Sequence, residues 1–159
     1  MEPRWPDVAP DFAPDGSLRD VYVFGTTEAD WDAVLAHVRA RYAPLRFTVD
    51  GEPAPVPARF ADGYAVRERA APCLTFHVGG VALACHFFDP GQIEFDLLPQ
   101  EVDGPERLAA VTAFLRELAH VTARPAVLTA ASQPDPVILR ADPVTGAVVF
   151  MPPPDVPAG

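Results

Sequence analysis

The chain has 159 residues, 49% of them apolar, and a formal charge of −10 at neutral pH. That length predicts one domain with a real hydrophobic core. The charge argues against nucleic acid and anionic membranes as partners, because both call for a basic surface. There is no Lys and no Asn. A Schiff-base lysine, a phosphate-loop lysine and a Cys-His-Asn triad are therefore excluded, and the composition carries the footprint of a GC-rich genome.

Residues 1–19 are rich in Pro and Asp and predict an extended arm, anchored on the domain by Trp5 and Phe12. MEPRWPDVAPDFAPDG lacks a basic start followed by an apolar run, which predicts a cytoplasmic protein without a secretory signal. Residues 20–151 form the expected domain, and PPPDVPAG at 152–159 predicts a disordered Pro-rich tail.

The domain opens with a strand, DVYVFG, followed by a helix over 27–42 capped by Thr27, with Asp30 in its first turn. Trp31, Val34, Leu35, Val38 and Tyr42 recur at helical spacing and give that helix a buried face. Leu45–Val49 is the next strand. Glu52–Phe60 alternates Pro with small residues and predicts an ordered surface loop. Residues 58–69 fit either a short helix or an edge strand.

CLTFHV, Gly79-Gly80 and VALACHFF form a hairpin, and Asp89-Pro90-Gly91 turns into IEFDLL. Keeping Cys85 and Phe95 on one core face requires an odd loop, because a one-residue slip reverses every side chain. That register sets His86 beside Glu94. A second helix over 105–122 carries Leu108, Val111, Phe114, Leu115, Leu118 and Val121 on its buried face, and Pro125 stops it. Three short strands, AVLTA, VILR and AVVF, complete the chain. The expectation is an α+β domain with a mixed or antiparallel sheet of four to six strands and two helices packed on one face.

The chemistry-bearing residues are few. Cys73 and Cys85 fit reduced thiols, and Cys85 and His86 are strand neighbours that point to opposite faces. The two serines, Ser17 and Ser132, sit in Pro- and Asp-rich loops without a nucleophile elbow. His37 and His120 fall beside the buried helix stripes. His77 and His86, with Glu94 and Asp96 on the next strand, have ligand chemistry for zinc or iron but none of the usual ligand spacings. The reading assigns no catalytic residue, no metal ligand and no cofactor. The acids cluster in residues 1–32, where eight face only Arg4 and Arg19, and again from Asp89 to Glu106. The candidate binding residues are His86, Phe88, Glu94 and Asp96 on the sheet, with Asp30 and Asp32 from the first acidic stretch. They predict a protein-binding domain that meets a basic partner. The alternative is a small enzyme or ligand-binding protein built on the His–carboxylate pair.

The strings DGSLRDVYVFGTTEADWDAVL, IEFDLLPQEV and AVLTAASQPDPVILRADP, over residues 14–143, resemble small, acidic, mostly uncharacterised bacterial proteins, some of which give immunity to polymorphic toxins. The resemblance implies a protein that blocks a partner such as a basic toxin. It carries over no functional residue: where that group often reads TPEN, this chain has TAASQ.

Overall fold

The computed structural model describes residues 2–130 and 136–151. The expected tail at 152–159 and the turn at Ser132 lie outside them. Among the described residues nine strands form one antiparallel sheet: β1 (Arg19–Phe24), β2 (Arg46–Val49), β3 (Glu52–Ala54), β4 (Pro72–Val78), β5 (Val81–Cys85), β6 (Gln92–Leu97), β7 (Ala126–Ala130), β8 (Val137–Ala141) and β9 (Val148–Phe150). Their order is β3-β2-β4-β5-β6-β1-β7-β8-β9.

The sheet exceeds the expected four to six strands because β1 pairs on both sides, with β6 and with β7, and so joins two antiparallel runs. One apolar row crosses it from edge to edge: Ala54, Phe47, Leu74, Cys85, Phe95, Val21, Leu128, Leu139 and Phe150 are successive cross-strand partners. Because side chains alternate along each strand, this row defines the core face and assigns the intervening residues to the other. Cys85 stands opposite Phe95, the register the core pattern requires. Cys85 is buried in the core row, whereas Cys73 points to the other face, and both thiols are free.

There are four helices among the described residues, not two: α1 (Trp5–Val8), α2 (Glu28–Tyr42), α3 (Phe60–Val66) and α4 (Pro105–Thr122). In α2 the Thr27 hydroxyl accepts from the Asp30 amide, and the Asp30 carboxylate accepts from the Thr27 amide, a reciprocal cap. Trp31, Val34, Leu35 and Val38 are its buried stripe. Trp31 is fully buried and its indole N–H donates to the Asp89 carbonyl at 3.1 Å. Thr26 donates its hydroxyl to the Pro90 carbonyl, and the Gly25 and Thr26 amides both donate to the Gly91 carbonyl. The turn after Phe88 is thereby clamped to the start of α2. Helix α4 contacts α2 and strands β1, β4, β5, β7, β8 and β9, and Ala123 ends it in the left-handed conformation at φ 54°.

The arm is not extended. After α1 the chain continues through a 3-10 turn, Ala9–Phe12, which brings Val8 and Phe12, four residues apart, into the core together. Trp5 is only partly buried and stacks on Phe12 with ring centroids 6.3 Å apart. The buried Arg19 holds the arm down by donating to the Asp11, Ala13 and Leu18 carbonyls and pairing with Asp15.

The Pro-rich segment also departs from expectation. Residues 52–54 form an edge strand, where Pro53 is tolerated, and α3 resolves residues 58–69 in favour of the short helix. Gly63 lets α3 sit flush on the core: a Cβ there would lie 2.6 Å from the Phe87 ring.

Candidate functional site

The face opposite the core row carries four of the candidate residues, His86, Phe88, Glu94 and Asp96. Asp20 on β1 stands directly opposite Asp96 on β6, and Tyr22 directly opposite Glu94. Two like charges facing each other across an antiparallel pair are unfavourable, and local groups answer them. The His86 Nε2 lies 2.8 Å from the Asp96 Oδ2. The Tyr22 hydroxyl lies 3.4 Å from both the Asp20 Oδ2 and the Glu94 Oε1. Gln92 donates to the Glu94 Oε2 at 3.4 Å. Asp20 and Tyr22 are buried, while His86, Glu94 and Asp96 are half-buried.

The protonation equilibria reflect this crowding. The hydrogen bond to Asp96 raises the His86 pKa against the opposing effect of burial. Burial raises Glu94, and neighbouring Asp20 adds to it. Burial first, then Asp20 and Glu94, push the Tyr22 phenol well above its ordinary range. All three shifts favour the protonated form.

Apolar groups border the acids. Phe24, Phe88 and Leu98 are all exposed, and Phe24 stacks on Tyr22 with centroids 4.9 Å apart. Phe88 stacks on His86 at 5.1 Å, and the Arg67 guanidinium lies over the outer ring at 5.2 Å. The 52–69 segment packs mainly on the core side. Phe60 and Gly63 pack on Trp31 and Phe87 on the core side, and Arg67 reaches round to Phe88.

The register refines the expected pairing. β5 ends at Cys85, one step short of the position where His86 would oppose Glu94, and the imidazole bonds diagonally to Asp96. His77 stands opposite Ala82, four residues down the strand from His86. At strand rise this separates the two imidazoles by roughly 14 Å along the sheet, too far to share an ion. No group of three or more His, Cys, Asp or Glu among the described residues is placed to hold a metal. Burial raises the Cys73 thiol pKa, the reverse of what an activated nucleophile requires.

Asp30 and Asp32 do not join the patch. Asp30 caps α2 and bonds Arg124 at 3.2 Å. The Asp32 Oδ1 accepts the Phe60 amide at 2.8 Å and so fixes the start of α3. Both serve helix ends. Asp20 and Tyr22 are the members that sequence reasoning left out. The alternation in DVYVFG sets them on the non-core side, but only the placement of β1 between β6 and β7 brings them to Asp96 and Glu94.

The hollow beside His86, lined by Arg67, Ala70, Ala71, Pro72, Phe87 and Phe88, measures about 170 Å³. That is below the roughly 300–1,000 Å³ typical of small-molecule sites. No helix among the described residues is long and apolar enough to cross a membrane. Together these features define an α+β protein with a wholly antiparallel sheet and an acidic, aromatic-bordered patch on it. No protein-family model, curated protein or solved structure matches this chain.

Proposed function

We propose that this protein works by binding a basic protein on the Glu94–Asp96 face of its sheet, as an immunity-type inhibitor of a basic toxin does, in the cytoplasm of a bacterium. The reading takes α2 and α4 to cover one face of the sheet and leave the other to the partner. The observation that carries it is the pair of half-buried acids, Glu94 and Asp96, inside a border of exposed Phe24, Phe88 and Leu98. Aromatic groups supply contact area at an interface, and fixed acids supply register and association rate against a cationic partner. The net charge of −10 extends that steering beyond the contact.

The alternative, a small enzyme or ligand-binding protein using the His–carboxylate pair, draws on the His86–Asp96 bond. The small hollow beside His86 and the raised Cys73 thiol both weigh against it.

Co-purification from the native source at low and at moderate salt tests the proposal. A basic protein retained at low salt, released by salt, and not retained by a Glu94→Gln/Asp96→Asn variant supports it. If nothing is retained at low salt while a small molecule is consistently bound, the alternative replaces it. An adjacent reading frame encoding a large secreted toxin would add independent support.

A further inference from the structure

A larger cavity, about 440 Å³, lies away from the acidic patch, between α2, α4 and the β8–β9 turn. Its walls are His37 from α2, Arg116, Glu117, His120 and Val121 from α4, and turn residues 142–146. Its volume falls within the rough 300–1,000 Å³ range of small-molecule sites.

Several of its acceptors are already engaged. The Glu117 carboxylate lies 2.9 Å from the His37 Nε2, accepts the Tyr42 hydroxyl and has the Arg41 Nε at 3.5 Å. The Asp142 Oδ1 accepts the Val144 and Thr145 amides at 2.8 and 2.9 Å, and the Gly146 carbonyl accepts the Arg116 Nε at 2.8 Å. Donors remain. The exposed His120 makes no hydrogen bond or ion pair among the described residues, and neither does the Arg116 NH1. The Arg116 NH2 meets the Glu2 carboxylate at 2.6 Å, and both side chains are more than one-third exposed. The arm thus already sets a carboxylate on the guanidinium, in a pair open enough to exchange with solvent.

We propose that this cavity binds a small organic carboxylate with an apolar body. Arg116 and His120 take the charge, Val121, Pro143 and Val144 take the body, and Glu2 is the internal competitor that the ligand displaces. The site is independent of the acidic patch.

The test is an NMR titration of the full chain with benzoate, using neutral benzamide as its near-isostere. Benzoate should shift the His120 ring and the Val121 and Val144 methyl signals saturably, and bind roughly tenfold more tightly than benzamide. His120→Gln, which breaks no hydrogen bond among the described residues, and Arg116→Gln should each weaken benzoate several-fold, whereas Glu2→Gln should strengthen it. Equal binding of the two probes, no saturable shift at these residues, or weaker binding in Glu2→Gln would overturn the assignment.

Discussion

Asp20 and Asp96 face each other directly across β1 and β6, two carboxylates at one step of an antiparallel ladder. An arrangement that opposes folding persists when neighbours offset it or when function uses it. Here His86 offsets part of it by bonding Asp96, and Tyr22 another part by reaching Asp20 and Glu94.

A pH dependence follows. His86 and Glu94 both have folded-state pKa values above their ordinary values of 6.5 and 4.5. A raised folded pKa contributes stability that is complete below the unfolded value and is lost as pH rises through the folded value. The Glu94 contribution should therefore be full below about pH 4.5 and the His86 contribution full below about pH 6.5. Each then declines as pH rises through the group's own folded value. Asp96→Asn removes the main cause at His86 and leaves burial opposed only by the charges of Glu94 and Asp20, so the ring should titrate at lower pH than in the wild type. NMR titration of the ring carbons checks this, and an unchanged midpoint would contradict the assigned pair.

Asp32 should behave as a structural acid. Asp32→Ala leaves the buried start of α3 without an acceptor for the Phe60 amide. The expected cost is about 1–3 kcal/mol in denaturant unfolding. Partner association should keep the salt dependence of the wild type. A loss of association without a loss of stability would return Asp32 to the binding surface.

Gly63 should not tolerate a methyl group. Gly63→Ala forces a Cβ to 2.6 Å from the Phe87 ring, and both residues are buried. Overpacking of this kind costs about 1–3 kcal/mol. A paired Gly63→Ala/Phe87→Leu variant should recover part of that loss, because the clash is with the ring itself.

The fold was partly legible in the sequence because its signals are local. Thr27 with Asp30, the Trp31–Val38 stripe and the Gly79-Gly80 turn each act within a few residues. The alternation around Cys85 and Phe95 was enough to fix the register of β5 and β6. What was not legible depends on distant pairing. Nothing near β1 says that it pairs on both edges, and so the opposition of Asp20 to Asp96 and the bond from Tyr22 to Glu94 were hidden. Asp30 and Asp32 looked like surface charge because their partners, Arg124 and the Phe60 amide, come from elsewhere in the chain. Val8 joined Phe12 in the core only because the arm turns helical.

The most direct test of the proposed binding face is the association rate of the captured basic partner as a function of ionic strength, for the wild type and for Glu94→Gln/Asp96→Asn. Steering by fixed surface charge predicts a slower rate for the variant, by up to roughly tenfold at low salt. It also predicts a flatter decline with salt, since fewer charges remain to be screened. Identical rates and identical salt slopes for the two proteins would contradict a docking surface built on Glu94 and Asp96.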